Sequence, residues 1–246
     1  MQNKNRTLNL EKVSIVNRID YTDDLCSLFI EKPVNFTFKP GQYCTIGVDG
    51  IERAYSIVSA PHEKYLELFV ELVPYPDGIL TPLLFNLKIM DKVTIRPRAK
   101  GLFTFKKEYI NHLLVATVTG IVPYISYIRD YIYNAGSGNN FFILLGASYI
   151  DEFVYDLELI DLAKTYPDFI KFVPTISRPD AAKNINWKGE TGRVNQIVEK
   201  YSNDFMLSPN DTLVSACGHP GMIENVKEIL GTKGFKIEEE RYWKED

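Results

Sequence analysis

The pattern of apolar residues changes near residue 105, and this change constrains the fold more than any other feature of the sequence. Before it, apolar and polar residues alternate in short runs such as residues 13–19, 26–30 and 65–72, which is typical of an antiparallel barrel or sandwich. After it, continuous apolar runs such as residues 112–117 alternate with helical segments, as in a parallel sheet covered on both faces. We therefore predict an α+β two-domain protein. An N-terminal antiparallel six-stranded β-barrel over residues 1–105 precedes a doubly wound parallel α/β domain over residues 106–246.

Composition and charge exclude several classes of protein. The net charge of −4 argues against a nucleic-acid binder. The three cysteines, Cys26, Cys44 and Cys217, are far apart and form no CxxC pair, so we expect reduced thiols in a cytoplasmic protein, without an iron–sulfur cluster. The three histidines lack metal-ligand spacing, and we expect no metal. The polar N-terminus does not resemble a signal peptide, and no apolar run approaches the length of a membrane span.

Arg53, Ala54, Tyr55 and Ser56 follow a turn at residues 49–50 and combine a cation, an aromatic ring and a hydroxyl. Side chains alternate along a strand, so Arg53 and Tyr55 should share one face while Ser56 points to the other. An arginine can pair with a phosphate, a tyrosine can lie against a flat ring, and a hydroxyl can hydrogen-bond to a ring heteroatom. That set suits a flavin nucleotide. Alone, however, the tetrapeptide is more typical of an amphipathic strand with an exposed arginine and a half-buried tyrosine.

The first domain has one segment with helical character, residues 80–87. Thr81 is predicted as its N-cap and Pro82 as its first helical residue, because these residue types are favoured at those positions.

Two loops that leave strands in the second domain carry residues suited to a dinucleotide. In an open parallel sheet, ligands bind beyond the carboxyl ends of the strands. The first loop has Thr119 and a glycine before Pro123, where a helix N-terminus could hold a diphosphate. The second places Cys217 at the end of a buried strand, among small residues that let a ring approach closely. Both loops also have a structural interpretation, since strand-to-helix turns often carry Thr and Gly and buried cysteines usually pack.

Two arginines in later loops could bind the 2′-phosphate that distinguishes NADP from NAD. Arg178 follows Ser177, and Arg193 follows a loop threonine and glycine. The guanidinium group suits phosphate because it donates two parallel hydrogen bonds. Taken singly, each arginine is also typical of a solvated surface.

Four motifs occur in an order and spacing that agree with one family across almost the whole chain. Residues 53–56, followed by 59–61, match an RxYS signature, and residues 76–82 resemble a second flavin element. Residues 116–126 and 217–222 match two pyridine-nucleotide elements. Together they resemble the ferredoxin–NADP⁺ reductase superfamily, most closely the bacterial ferredoxin/flavodoxin–NADP⁺ reductases.

The resemblance implies an FAD-binding barrel followed by an NADP-binding domain. On the barrel, Arg53 would contact the FAD diphosphate, Tyr55 would pack on the isoalloxazine, and Ser56 would hydrogen-bond near its reactive nitrogen. Ala54 lies inside the same motif, and Thr81 would lie by the diphosphate.

The resemblance also assigns roles in the second domain. Thr119 and Cys217 would line the nicotinamide pocket, with Cys217 and Ser56 as the catalytic residues. The implied ligands of the adenosine 2′-phosphate are Ser177, Arg178 and Arg193. Tyr242 and Trp243 resemble the aromatic tails that cover the flavin or its adenine in this family.

Three departures from the family pattern affect these expectations. Ser148 stands where bacterial relatives commonly have a further phosphate-binding arginine, which makes NADP preference less secure than FAD binding. Val118 and Val122 stand where relatives often have glycine, which could change how the nicotinamide pocket closes. The tail continues for three residues beyond Trp243, so its docking need not copy relatives that end at the aromatic residue.

The implied protein is an FAD-dependent oxidoreductase that moves electrons between NADP(H) and a separate one-electron carrier, ferredoxin or flavodoxin, by hydride transfer to or from flavin N5. FAD would be bound tightly but not covalently, in a monomeric cytoplasmic enzyme. A basic stretch could steer an acidic carrier, or it could be an ordinary solvated linker. Its members are Arg96, Arg98, Lys100, Lys106 and Lys107.

Two other functions stay open on the sequence. The first is an NADH- or NADPH-dependent reductase component that serves an oxygenase, a cytochrome or free flavin. The second is a cofactor-free interaction protein on the same fold.

Overall fold

The computed structural model describes residues 10–241, which form two six-stranded sheets. The first sheet is antiparallel and has the strand order β4-β3-β6-β1-β2-β5. Past the end of β4, the Val58 N–H donates to the Glu67 carbonyl oxygen of β5 at 2.9 Å, which nearly closes the sheet. The predicted six-stranded barrel is therefore confirmed. Its elements are β1 Glu11–Asp20, β2 Leu25–Glu31, β3 Tyr43–Val48, β4 Ile51–Ser56, β5 Tyr65–Glu71, α1 Leu80–Asn86 and β6 Lys92–Ile95.

A two-residue turn fixes the register of β3 against β4. Asp49 has φ 51° and Gly50 has φ 82°, and positive φ at both positions is the turn that matches the twist of a hairpin. The pairing then runs from Val48 opposite Ile51 to Tyr43 opposite Ser56. The turn therefore sets which face of the hairpin each residue of the 53–56 motif occupies.

The second sheet is parallel, with the order β10-β9-β8-β7-β11-β12. Alternate residues of β7 face opposite sides, so that Leu114 packs with α2 and α3 while Leu113 packs with α4 and α5. Both faces are covered by helices, and the predicted doubly wound arrangement is confirmed. Its elements are β7 Asn111–Thr117, α2 Val122–Tyr133, β8 Asn140–Ala147, α3 Asp156–Thr165, β9 Ile170–Ile176, β10 Glu190–Thr191, α4 Val194–Asp204, β11 Thr212–Gly218, α5 Pro220–Gly231 and β12 Lys236–Arg241.

Two features differ from the sequence prediction. Helix α1 begins at Leu80 with Ile79 as its N-cap, so the prediction of Thr81 as N-cap is wrong. The Thr81 hydroxyl instead donates to the Val73 carbonyl oxygen at 2.9 Å and accepts from the Val73 N–H at 3.0 Å. Strand β12 was not predicted, because its sequence KIEEER has the charge of a solvated surface; it forms by extending the sheet parallel to β11.

The two sheets share an apolar interface. Val58, Phe69 and Phe103 pack in one buried cluster with residues of α2 such as Tyr124 and Ile128. The predicted boundary between residues 105 and 106 falls in the connection 96–110 that joins the sheets, and it stays a prediction. Within residues 10–241, no helix is both long and apolar enough to cross a membrane. In that same range, no three His, Cys, Asp or Glu side chains are grouped to hold a metal ion.

Candidate active site

The strand order of the parallel sheet reverses between β7 and β11, and this switch point is where ligands bind in open α/β sheets. The backbones that leave the two strands are in close contact there. A Cβ at Gly218 would lie 2.3 Å from the Thr117 Oγ1, and a Cβ at Gly120 would lie 2.2 Å from the Cys217 carbonyl oxygen. Gly218 also has φ +125°, which disfavours other residues. At the switch point, backbone atoms of the two loops are therefore in close contact, which the small residues noted in the sequence permit.

One predicted catalytic residue, Ser56, contacts a carboxylate that the sequence analysis did not identify, and the other, Cys217, is paired with the same residue on the adjacent strand. The Ser56 hydroxyl, at the end of β4, donates to Glu240 Oε2 at 3.3 Å. Glu240 lies directly opposite Cys217 in the pairing of β12 with β11. Glu240 therefore links Ser56 of the barrel to the strand pair that carries Cys217, although 161 positions separate Ser56 and Cys217 in the sequence (217 minus 56).

Burial raises the pKa of Glu240 to about 7, against an ordinary value of 4.5, and the hydrogen bond from Ser56 opposes part of this shift. A carboxyl group with this pKa exchanges a proton near neutral pH, which is the range a proton-transfer group needs. The signal that could have found Glu240 is its position two residues before the aromatic pair of the tail, combined with the register of β12.

The loop after β7 holds Thr119 against the switch point. Thr119 is buried in a 3₁₀ turn, Val118–Ile121, that lies beside β11. Val118 has φ 41°, a left-handed backbone that is strained for a β-branched residue. Val118, one of the positions at which the sequence departs from the family pattern, therefore has a locally strained backbone.

The donor set on β4 fits a flavin nucleotide. The Arg53 side chain is exposed, and among the described residues its hydrogen bond from Nη1 goes to the neighbouring Glu52 carbonyl oxygen at 2.8 Å, which leaves further donors for a diphosphate. Tyr55 is half-buried against the barrel core, and burial raises the pKa of its hydroxyl above the ordinary value. Ala54 is exposed and adds no bulk. The motif therefore offers a free cation, an aromatic ring and a hydroxyl on one strand.

Helix α1 lies beside β3 and β4, so Thr81 is near the same region as Arg53. Gly78, just before the helix, lies so close to Val73 that a Cβ there would be 1.9 Å from the Val73 carbonyl oxygen. The Thr81 hydroxyl is engaged by that same residue. Its part in binding a diphosphate stays a prediction.

The predicted 2′-phosphate ligands gather at the carboxyl end of β9. Arg178 lies two residues past the end of the strand, and the N–H of Gly192, just before Arg193, donates to the Ile176 carbonyl oxygen at 2.8 Å. Arg178 Nη1 also donates to the Tyr149 hydroxyl at 2.5 Å, and its guanidinium carbon lies 5.2 Å from the centre of that ring. The sequence analysis did not identify Tyr149 as part of this group.

The backbone N–H groups of Ser177 and Ser148 are both hydrogen-bonded at the same edge. The Ser177 N–H donates to the Ala147 carbonyl oxygen at 2.9 Å, and the Ser148 N–H donates to Glu152 Oε2 at 2.6 Å. Ser148 therefore lies where β8 ends, next to the strand that leads to Arg178. β9 and β11 are three strand spacings apart, about 14 Å, a span that an extended dinucleotide can bridge.

The aromatic tail and the basic stretch are the two remaining sets of predicted residues. Tyr242 and Trp243 lie outside the described residues. In the basic stretch, Arg96 pairs with Glu52 at 2.7 Å and Lys106 approaches Glu238 at 3.9 Å, while Arg98, Lys100 and Lys107 are exposed.

A parallel sheet whose switch point faces a barrel that carries a flavin-type donor set defines a two-domain dinucleotide oxidoreductase. A family model described as "Oxidoreductase NAD-binding domain" matches residues 114–228. The flavodoxin/ferredoxin–NADP reductase of Escherichia coli strain K12 is 30% identical over 220 residues, 85% of this chain and 84% of that protein. The enzyme of the same name from Buchnera aphidicola subsp. Baizongia pistaciae is 29% identical over 245 residues, 91% of this chain and 94% of that protein.

The fold has a solved counterpart. The crystal structure of a ferredoxin NADP⁺ reductase from Neisseria gonorrhoeae, with bound FAD and NADP, superposes with a TM-score of 0.82 and 22% identity, over 95% of this chain and 99% of that one. The chain belongs to the flavodoxin/ferredoxin–NADP reductase family, as the sequence motifs predicted.

Proposed function

We propose that this protein is an FAD-dependent oxidoreductase that moves electrons between NADP(H) and ferredoxin or flavodoxin. One observation carries the proposal: Ser56 of the barrel is hydrogen-bonded to Glu240, which is paired with Cys217 across β12 and β11, beside the switch point. The names of the Escherichia coli and Buchnera relatives support the choice of reaction. We propose residues 1–105 as the FAD-binding unit and residues 106–246 as the NADP-binding unit.

The residues of β4 would hold the flavin. When bound, FAD would supply the electron chemistry: flavin N5 would accept a hydride, with its two electrons, from NADPH, which becomes NADP⁺, and the electrons would go one at a time to the carrier. Arg53 would neutralise the diphosphate, with Thr81 and Ala54 beside it, and Tyr55 would lie against the ring. The work of the protein is to hold both cofactors and to exclude water.

Ser56 and Glu240 form a proton route. Because the Ser56 hydroxyl is hydrogen-bonded to Glu240 Oε2, a proton held by the carboxyl group at neutral pH could pass to the serine oxygen while the serine hydroxyl gives its own proton to the group on its other side. Glu240 is only partly buried, so it can also exchange protons with solvent. This route would serve the side of the flavin that Ser56 contacts.

The parallel sheet would hold the nucleotide. Thr119 and Cys217 would line the nicotinamide pocket, where Gly120 and Gly218 allow the ring to approach the backbone. The 2′-phosphate would meet three residues that follow β9 and precede α4, which are Ser177, Arg178 and Arg193. The aromatic tail, Tyr242 and Trp243, would cover the flavin or its adenine.

The carrier would be a separate acidic protein that approaches the exposed cations of the basic stretch, Arg98, Lys100 and Lys107. We propose a monomeric cytoplasmic enzyme. Reversing the charge of Arg98 and Lys107 should slow association with the acidic carrier, and added salt should then speed association because it screens the repulsion. Association rates that do not change with salt in this variant would count against steering.

The test of the function is direct. The purified protein should be yellow, and it should reduce cytochrome c in the presence of NADPH and ferredoxin or flavodoxin, faster than with NADH. A yellow protein that reduces cytochrome c or free flavin without the carrier would replace this proposal by a reductase of another acceptor. A colourless protein that binds no FAD would overturn it.

A further inference from the structure

One face of α2 docks on the barrel through three residues, Ser126, Arg129 and Tyr133, which are spaced three and four apart and so lie on one side of the helix. The Ser126 hydroxyl donates to the Ser59 carbonyl oxygen at 2.9 Å. The Tyr133 ring is stacked on His62, with centroids 3.6 Å apart and planes 5° from parallel. We refer to these contacts, together with that of Arg129, as the α2–barrel seam.

A buried ion pair lies at the centre of the α2–barrel seam. Arg129 Nη1 donates to Glu67 Oε2 of β5 at 2.7 Å, and the Glu67 side chain is only 5% exposed. The Tyr155 hydroxyl donates to the other carboxylate oxygen, Oε1, at 2.8 Å and lies 3.1 Å from the Ser27 hydroxyl of β2. The Glu67 carboxylate of the barrel therefore accepts hydrogen bonds from two residues of the parallel-sheet domain, Arg129 and Tyr155.

The guanidinium is held on its other side as well. Arg129 Nε and Nη2 donate to the two oxygens of Glu158, at 2.7 and 2.8 Å. Burial alone would lower the pKa of Arg129, but the hydrogen bonds to Glu158 and the charge of Glu67 raise it above the ordinary value. The group thus stays charged, and its planar fork fixes direction as well as distance.

The α2–barrel seam connects directly to both halves of the active site. Helix α2 begins at Val122, immediately after the turn that holds Thr119. On the barrel side, Ser59 is three residues past Ser56. The segment between Ser56 and Ser59 is held to β5, since the Val58 N–H donates to the Glu67 carbonyl oxygen. A shift of the helix at the seam therefore changes the separation of Thr119 from Ser56.

We propose that Arg129 is a positioning residue for hydride transfer, because its ion pair with Glu67 fixes the nicotinamide pocket against the flavin-bearing strand. The proposal rests on the proposed function. Misplacement of reacting atoms by about 1 Å can slow a reaction about 100-fold, so the ion pair should matter to the rate even though neither residue touches a cofactor site residue directly.

The experiment separates positioning from stability with a double substitution. In the holoenzyme, Arg129→Met alone leaves the Glu67 carboxylate buried without its cation and should lower Tm by roughly 10 °C. Glu67→Leu with Arg129→Met removes both charges and should recover most of that Tm. Positioning predicts that the double variant keeps its FAD and its affinity for NADP⁺, yet reduces its flavin at least about tenfold more slowly and loses long-wavelength charge-transfer absorbance with NADP(H).

A second variant guards against loss of folding. Tyr155→Phe keeps the ring but removes the hydroxyl from Glu67, and should slow flavin reduction by a smaller factor, about threefold. The matched control is Tyr131→Phe on α2, the helix that carries Arg129; the Tyr131 hydroxyl accepts from the Asn139 N–H at 3.1 Å within the parallel-sheet domain. It should lower Tm without changing the rate of flavin reduction.

The outcomes are distinct. A double variant with wild-type flavin reduction and charge-transfer absorbance would overturn the proposal, as would rates that follow Tm across all variants including Tyr131→Phe. A wild-type protein whose flavin NADPH does not reduce would instead overturn the proposed function, and the Tm series would still measure the ion pair.

Discussion

The barrel and the parallel sheet contribute to the candidate active site in different ways. The barrel contributes side chains of one strand, Arg53, Tyr55 and Ser56, whose placement follows from the turn that sets the register of β3 and β4. The parallel sheet contributes backbone at its strand ends, where Gly120 and Gly218 leave no room for a Cβ. These β4 positions should therefore tolerate single substitutions with local effects, whereas an added carbon at the switch point should disturb the whole edge of the sheet.

The largest expected effect is that of Gly218→Ala. The new Cβ would lie 2.3 Å from the Thr117 Oγ1, which now accepts a hydrogen bond from the His219 N–H, and the residue would keep φ +125°. We expect the free energy of unfolding to fall by about 3 kcal/mol or more, measured by urea titration. The barrel control is Gly50→Ala at φ +82°, where no atom lies within 4 Å of the added Cβ and the loss should be only about 1 kcal/mol. Equal losses of stability in Gly218→Ala and Gly50→Ala would show that the switch point is no more crowded than the barrel turn.

The next effect tests the barrel side chain by itself. Ser56→Ala removes the hydroxyl that donates to Glu240 and should slow flavin reduction by NADPH about 10- to 100-fold, with FAD still bound. The measurement is anaerobic stopped-flow absorbance. Thr94→Val is the control, since it removes a barrel hydroxyl that donates to the Gly47 carbonyl oxygen on another strand. Unchanged flavin reduction in the Ser56 variant would remove this residue from the catalytic set.

The sequence predicted those parts of the molecule that are encoded by local pattern. Alternation predicted the barrel strands, continuous apolar runs predicted the buried parallel strands, and the sequence placed Cys217 at the end of a buried strand, where the structure has it. The 53–56 motif was expected to begin a strand, whereas in the structure Ser56 ends β4. Glu240 was not predicted because β12 is mostly charged, and the Glu240 side chain becomes partly buried only when β12 pairs with β11. The α2–barrel seam was not predicted for a similar reason. Arg129 and Glu67 are residue types that usually lie at the surface, and they come together only when the two domains pack.

A carboxyl group buried by long-range pairing should be detectable from the pH dependence of stability. Glu240 has a folded-state pKa of about 7, above its ordinary 4.5, so the folded protein holds a proton that the unfolded chain has already released. Stability should therefore fall as pH rises from about 4.5 through about 7, by about 1–2 kcal/mol once partial exposure is allowed for. Glu240→Gln should remove that part of the slope, measured as Tm against pH at constant ionic strength. The same slope in both proteins would place Glu240 in water.

The smallest expected effect is a difference in stability between glycine and alanine, and its sign should be opposite at the barrel and at the switch point. Alanine normally stabilises a chain relative to glycine by about 0.5–1 kcal/mol, and exposed Ala54 in β4 should follow that rule when replaced by glycine. At Val118, φ is 41°, so Val118→Gly should be more stable than Val118→Ala by about 1 kcal/mol, since both lose the side chain but only glycine relieves the backbone. Urea unfolding of both pairs measures the difference. If alanine is the more stable residue at position 118, the loop after β7 holds no strain, and the switch point differs from the barrel only in crowding.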